Sequence, residues 1–434
     1  MTTTTTSQRL HRSTPAPPVR IVHLGLGAFS RAHQAWYTAH ASDAADWGIA
    51  AFTGRSTELA TRLTEQDGLF TLIRRGPSVD EFEIVHSIVQ AEPGANVAEF
   101  VRLLAAPSTA ILTLTITESG YMQAGAGEID LDDARVRADI EALARGDSAP
   151  TTALGRVLAG LDGRRREDAG PIALVSCDNL PENGDVLGRS LISMAHNFSH
   201  DLEAWIGDYV SFVSTSVDRI TPRYSATDAA DVLAATGIAD SVPVVAEPFS
   251  DWVLSGTFPA GRPDWESAGA TFVDDLAPFE ARKLWLLNGA HSLLSFAGPL
   301  RGHTTVAEAF ADPECRRAVD ALWDDDTRNL PDYLDLTLYR RALADRFSNP
   351  RIAHHLDQIA IDGLRKLQVR VVPVARLDLA AGDTAAGCAA AMGAWIAASG
   401  GTTDCLLPRL DPHLAVDEAF AARVERERRR WSSP

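Results

Sequence analysis

The chain has 434 residues, 45% hydrophobic and 23% charged, with a formal net charge of −18. That length calls for two cores rather than one, and the composition is that of a water-facing globular protein. The acidic balance excludes a nonspecific grip on nucleic acid or on an anionic membrane surface, and no apolar run approaches the ~20 residues of a membrane helix.

Residues 1–18 are Thr- and Pro-rich without an apolar centre, so a disordered lead-in is expected there rather than a signal peptide. Residues 20–24 (RIVHL) form the first expected strand, followed at once by Gly25-Leu26-Gly27-Ala28-Phe29-Ser30 and a helical pattern through His40. Strand, glycine turn and helix open a dinucleotide-binding unit. Further strands are expected at 47–53, 71–74, 81–88, 109–117, 173–176, 212–216 and 242–246, with helices at 97–104 and 152–161. The segments 71–74 and 81–88 suggest a hairpin inserted in the sheet. From about residue 277 the pattern turns helical, over 278–297, 305–311, 313–322, 333–346 and 383–399. The fold class is therefore α/β, with a Rossmann-type domain over 19–275 and a mostly α-helical domain over 276–434. The arginines at 423, 426 and 428–430 alternate with Glu425 and Glu427 and read as a solvated helix end. Cys177, Cys315, Cys388 and Cys405 are scattered, with no C-x-x-C pair. That argues against a disulfide framework or a thiolate zinc site and suits a reducing cytoplasm.

The G-x-G turn at Gly25 and Gly27 lets a pyrophosphate approach the backbone where the helix opens at Ala28 and Phe29. Ser30 replaces the third glycine, so a plain tight turn is the competing reading. The ribose is usually held by an acid just past the second strand. Glu58 is the first acid there and favours NAD, whereas Arg55 and Ser56 could hold the extra phosphate of NADP. Glu118 follows the strand 109–117 at its ligand-binding end, as a nicotinamide-pocket or proton-path group or as a solvated loop acid.

Only two of the 40 basic residues are lysines, Lys283 and Lys366. Arginine stays charged, while a desolvated lysine can lose its proton, so each lysine is a candidate general base. Lys283 sits in FEARKLWLLNGAHS (279–292), an apolar helical run. At about 100° per residue Asn288 lies ~140° and His291 ~80° from Lys283, within one arc of a buried helix. Lys283 would take a hydroxyl proton as hydride leaves carbon, and Asn288 and His291 would donate hydrogen bonds to the developing alkoxide. An internal polar cluster without substrate is the structural alternative.

This K-x4-N-x2-H helix resembles the signature of the mannitol dehydrogenase family of polyol-specific long-chain dehydrogenases. IVHLGLGAFSRAHQAWYT (21–38), TLTITESGY (113–121), SCDNLPENG (176–184), VDRITP (217–222), AEPFSDWV (246–253), GRPDW (261–265), RFSNPRI (346–352) and DGLRK (362–366) are similar to further family blocks, in order, over residues 19–400. The resemblance implies a metal-independent, NAD(P)-dependent oxidoreductase with its active site between the two domains. Its substrate would be a linear polyol or sugar acid, of the mannitol/fructose or D-mannonate/D-fructuronate type. It implies Lys283 as base, Asn288, His291 and Asn179 at the reacting oxygen, Glu280 as a proton carrier and Lys366 at the substrate. Gln358 stands where mannitol dehydrogenases carry arginine, a version closer to fructuronate reductases. Leu364, Leu367-Gln368 and Asp251 also depart from the pattern. If the substrate carries a carboxylate, Arg365 and Arg31 are the candidate cations.

Of the remaining polar residues, Asp218 and Arg219 suggest a structural ion pair, and Arg31 and His33 face either ligand or helix packing. His354 and His355 are adjacent and point different ways on a helix. His196 and His200 have zinc-like spacing with no evident third ligand, so no metal is expected. The expected partner is a small polyol or sugar acid, with neither nucleic acid nor membrane, for a monomer or small homo-oligomer. A noncatalytic nucleotide-binding or redox-sensing protein on the same scaffold is the rival class.

Overall fold

The computed structural model describes residues 8–54, 56–124, 128–146, 149–352 and 354–432. The chain divides into two compact units, one running to Leu276 apart from the turn Gly76–Val79, the other comprising that turn and Ala277 onward.

Among the described residues the first unit holds thirteen strands: β1 (Gln8–Arg9), β2 (Val19–Leu24), β3 (Gly48–Phe52), β4 (Phe70–Arg75), β5 (Asp80–Val85), β6 (Ile88–Glu92), β7 (Ile111–Leu114), β8 (Ile172–Ser176), β9 (Val210–Asp218), β10 (Ile238–Ala239), β11 (Val244–Ala246), β12 (Asp251–Ser255) and β13 (Thr271–Phe272). Eight form the main sheet in the order β6-β3-β2-β7-β8-β9-β12-β13, parallel except at β9–β12. The first six of these run as the doubly wound 3-2-1-4-5-6 order, whose reversal between β2 and β7 opens a crevice at the strands' carboxyl ends.

Alternate strand residues feed two cores. Ile21, Ile49, Ala51, Ala173 and Val175 face one, and Val22, Leu24, Ala50, Phe52, Leu112, Leu114 and Leu174 the other. With both faces covered, the central strands read as continuous apolar runs, which is why they were legible in sequence.

Three expectations need correction. The lead-in is ordered from residue 8: β1 pairs in parallel with β10, Leu10 is buried, and Arg12 donates to the carbonyls of Asp67, His86 and Ile88. Residues 1–7 lie outside the described residues. The β4–β5 hairpin is not in the main sheet; it joins β11 in a separate three-stranded sheet. The segment 81–88 holds parts of two strands, and β6 leaves the hairpin to edge the main sheet.

The second unit is helical. Ala386–Ala398 is buried continuously from Gly387 to Ile396 and packs against Pro313–Arg328 and Glu418–Ser432. A helix apolar all round belongs in a core. In Glu418–Ser432, Phe420, Val424 and Trp431 are buried while Glu425 pairs with Arg428 and Arg429. The basic run is thus the outer face of a packed helix. Among the described residues no helix is long and apolar enough to cross a membrane.

Candidate active site

The glycine turn leaves β2 at the crevice. Gly25 has φ +111°, and its amide and that of Leu26 donate to the carbonyl of Phe52 at 2.9 and 2.8 Å. A Cβ at Gly25 would stand 2.1 Å from the Thr115 carbonyl oxygen, so the fold itself requires glycine there. Gly27 differs: its φ is −150°, and a Cβ there would meet only the Gly25 carbonyl at 3.6 Å. Among the described residues nothing demands glycine at 27, which is what a backbone kept bare for a bound pyrophosphate would show. The residues present therefore fit a dinucleotide at this turn.

Ser30, in place of the third glycine, caps the helix instead. Its hydroxyl accepts from the Gly27 amide at 3.0 Å, and Arg31 Nε donates to the Gly27 carbonyl at 3.1 Å. The helix 28–40 opens at Ala28 and Phe29 and widens to a π-turn over Arg31–Ala35. Arg219 Nη1 bonds the Ala32 carbonyl, and Ser87 the Ala35 carbonyl at 2.7 Å. Arg31 and His33 are buried. Arg31 bonds the Val242 carbonyl, and His33 bonds the Asp251 carbonyl at 3.1 Å and stacks on Phe29. Both serve packing, which removes Arg31 as a candidate carboxylate-binding cation. Glu58 opens the helix Glu58–Thr64 and pairs with Arg62 at 2.6 Å. Arg55 lies outside the described residues.

The ends of β7 and β8 are tied by a residue that sequence reasoning missed. Asp178, 7% exposed, accepts from the amides of Ile116 at 3.1 Å and Thr117 at 2.8 Å and from the Tyr121 hydroxyl at 2.8 Å. Burial raises its carboxyl pKa. The bonds hold Thr117 at φ +66°, a costly conformation for a β-branched residue. Glu118 follows it, exposed, and Asn179 is exposed beside Asp178. Asn183 donates to the carbonyls of Asp178 and Thr215, fixing this loop to β9. The one available signal was the polar run SCDNLPEN, since so many polar groups at a buried strand end need partners.

In the second unit, Lys283 begins a seven-residue π-helical segment, Lys283–Gly289, between Ala277–Arg282 and Ala290–Leu300. Hydrogen bonds closed five residues apart rather than four turn the chain by roughly 80° per residue instead of 100°. Asn288 then falls about 40° from Lys283 instead of 140°, and His291 about 40° to the other side. The α-helical spacing assumed from the sequence is thus corrected by a wide turn that brings the three groups closer together. Carbonyls in this turn take donors from other helices: Trp323 Nε1 bonds Leu286 O at 2.8 Å, and Arg370 Nη1 bonds Asn288 O at 3.2 Å.

Glu280, Lys283 and Asn288 are half-buried, while His291 is 7% exposed. The His291 ring packs on Phe347 and His354 at 4.8 Å from each, and its Nε2 is buried with no hydrogen-bond partner among the described residues. Burial, then the charges of His354, Arg346 and Arg370, hold its pKa well below the usual value, so the ring is neutral. A buried neutral imidazole with an unused nitrogen can hold a substrate oxygen.

Lys366 lies in Gly363–Arg370 with Nζ bonded to the Ile359 carbonyl at 2.9 Å; burial, then Arg370, lower its pKa. Gln358 and Arg365 are exposed. His196 and His200 do have a third neighbour: Glu203 bonds their Nδ1 atoms at 2.9 and 3.2 Å, in an exposed cluster outside the sheet's ligand end.

Comparison with known proteins decides the family. Residues 19–267 match the mannitol dehydrogenase Rossmann domain, and residues 275–412 the mannitol dehydrogenase C-terminal domain. The chain belongs to the mannitol dehydrogenase family. It is an oxidoreductase of that family, acting on a polyol or sugar acid. It is 36% identical over 419 residues to D-mannonate oxidoreductase of Escherichia coli (strain K12), covering 94% of this chain and 85% of that protein. It is 33% identical over 428 residues to mannitol 2-dehydrogenase of Cereibacter sphaeroides, covering 95% and 87%. Among solved structures it is similar to the Pseudomonas fluorescens mannitol 2-dehydrogenase ternary complex with NAD and D-mannitol. That match has TM-score 0.78 and 32% identity, covering 97% of this chain and 93% of that one.

Proposed function

We propose that this chain is an NAD-dependent dehydrogenase that interconverts a secondary alcohol and a ketone on a linear polyol or sugar acid, with Lys283 as general base. The observation that carries the proposal is the wide turn, which sets Lys283, Asn288 and the unpartnered Nε2 of buried His291 on one face of one helix. Lys283 accepts the hydroxyl proton in oxidation and returns it in reduction. Asn288 and His291 donate to the oxygen as negative charge builds on it, which favours the transition state over the neutral alcohol. Glu280, one turn before the base, passes the proton toward solvent, and Asn179 contacts the reacting oxygen, as the family resemblance implies. Lys366 and Gln358 contact the rest of the substrate.

Gly25, Gly27, Ala28 and Phe29 would hold the dinucleotide's pyrophosphate, Glu58 its ribose hydroxyls, and Glu118 would stand near the nicotinamide. Bound NAD supplies the acceptor for the hydride released from carbon. The preference for NAD over NADP rests on Glu58 at the start of its helix. The test is formation of reduced nicotinamide, followed by absorbance, with matched polyols and sugar acids and with NAD or NADP. Turnover that persists in Lys283→Met would overturn the base assignment. Tight NAD binding without turnover of any substrate would favour a noncatalytic nucleotide-binding protein.

A further inference from the structure

The helix Asn183–His196 starts at the loop that Asn183 ties to β9 and runs roughly 21 Å away from it. His196 is its last residue. Residues 197–199 turn the chain, His200 opens the next helix, and Glu203 stands one turn further on. The turn is held by its own backbone. The amides of Phe198 and Ser199 donate to the Ala195 carbonyl at 2.9 and 2.7 Å, and Asn197 Nδ2 donates to the Ser193 carbonyl at 2.9 Å. The Ser199 hydroxyl caps the second helix by accepting from the Leu202 amide at 3.3 Å. Met194, Ala195, Leu202 and Ile206 are buried in the sheet's core, so both helices are anchored where they meet. His196, His200 and Glu203 therefore project from a fixed frame rather than from a loose loop.

The donor atoms of these three side chains converge. The Nδ1 atoms of His196 and His200 lie 2.9 and 3.2 Å from the same Glu203 oxygen, and one ligating atom from each residue falls within 4.8 Å of the other two. The two rings stand edge to face at 67° rather than stacked, so each turns a nitrogen toward the shared centre. Four ligands about 2.0–2.1 Å from a tetrahedral zinc ion lie ~3.3 Å from one another. Both nitrogen–carboxylate distances are already near that edge, and rotation of the exposed imidazoles closes the rest. The hydrogen bonds that an ion would replace are exposed to water and hold little energy. The local charge also suits a cation. The helix His200–Tyr209 carries Asp201, Glu203 and Asp208 with neither lysine nor arginine, and the carboxyl end of the preceding helix adds partial negative charge at His196.

We infer that His196, His200 and Glu203 form a surface site for a divalent transition-metal ion of the zinc class, which clamps the helices Asn183–His196 and His200–Tyr209 together. Two imidazoles and one carboxylate suit zinc, nickel or copper, whereas magnesium and calcium take oxygen ligands throughout. Three protein ligands leave a fourth position to water. The histidine spacing was visible in the sequence, but the third ligand comes from the turn that starts a second helix. The site is separate from the alcohol–ketone chemistry, and neither reading depends on the other. Its expected effect is on stability, because the ion binds an arrangement that only the folded chain holds.

The test titrates zinc chloride by calorimetry into tag-free full-length protein that has been dialysed against a chelator, with the His200→Ala and Glu203→Gln variants alongside. The unmodified protein should bind a single equivalent, and its melting temperature should rise with zinc concentration. Each variant should lose at least about 100-fold in affinity, since even a residue behind the ligands of a metal is worth roughly 10- to 100-fold. The side chains of His200 and Glu203 are 76% and 31% exposed, so the metal-free variants should melt close to the unmodified protein. Cobalt(II) gives a readout independent of stability: a visible absorption band that zinc displaces and that His200→Ala lacks. Magnesium at the same concentration should leave the melt unmoved. Zinc binding that does not saturate, or that is equal in all three proteins, would overturn the site, as would an equal shift of the melt by magnesium.

Discussion

Replacing Trp323 by Phe tests whether the wide turn sets the catalytic geometry. Trp323 is 1% exposed, and its Nε1 donates to the Leu286 carbonyl at 2.8 Å, inside the π-helical segment that begins at Lys283. Phenylalanine keeps a ring beside Phe310 and Phe347 but removes the donor. A buried carbonyl left without its partner costs about 1–3 kcal/mol. The smaller ring adds about 1 kcal/mol of lost packing, so a destabilisation of roughly 2–4 kcal/mol is expected. The functional effect follows from the helix geometry. If the turn relaxes toward α-helical winding, Asn288 swings from about 40° to about 140° from Lys283 and leaves the reacting oxygen. A urea transition gives the stability change, and initial rates give kcat and KM. The expected result is an earlier midpoint and a kcat reduced at least about tenfold, the scale of one misplaced oxygen-holding donor. NAD affinity should be unchanged, because the glycine turn lies in the other unit. An earlier midpoint with an unaltered kcat would refute the link between the wide turn and catalysis.

Lys283→Met should lower kcat by about 10²–10⁴-fold while NAD still binds, and Lys283→Arg should be nearly as damaging, since a group that stays charged cannot take the proton. The two glycines should separate: Gly25→Ala places a Cβ 2.1 Å from Thr115 O at positive φ and should destabilise the first unit, seen as an earlier melt. Gly27→Ala, with only a 3.6 Å contact to Gly25 O, should fold normally yet bind NAD more weakly in a titration. A Gly27→Ala variant with unimpaired NAD affinity would remove the pyrophosphate from that turn. His23 supplies a pH dependence. It is buried in β2 beside Thr113 Oγ1 at 2.8 Å, and burial pulls its pKa down to about 4. The unfolded imidazole binds its proton near pH 6.5, so this contribution is fully present above that pH and is lost as pH falls toward 4, by about 3 kcal/mol in all. His23→Gln should flatten the stability profile between those limits; an unchanged slope would show that His23 is not the group responsible.

The sheet's middle was legible because β2, β3, β7 and β8 are buried on both faces and therefore apolar throughout. Its edge was not. Asp251–Ser255 (DWVLS) is short and flanked by polar residues, and its membership is decided by pairing with β9, a contact between distant segments. The lead-in showed the same limit, since a Thr- and Pro-rich stretch announces no strand until β10 offers an edge. At the candidate site, Lys283, Asn288 and His291 stood out as polar groups in an apolar run, and Gly25 and Gly27 as a turn. Asp178 and Arg370 did not, because each acts on backbone groups remote in sequence: Ile116 and Thr117 for the one, Asn288 for the other.

The sequence alone determined the classes of residue available for chemistry, the order of the two units and the family, because those depend on composition, local periodicity and spacing along the chain. The tertiary structure decided the winding of the helix that carries Lys283 and the charge around His291. Winding depends on which carbonyls find donors from Trp323 and Arg370, and the local field depends on which charges lie near in space. Neither quantity is a function of position along the chain.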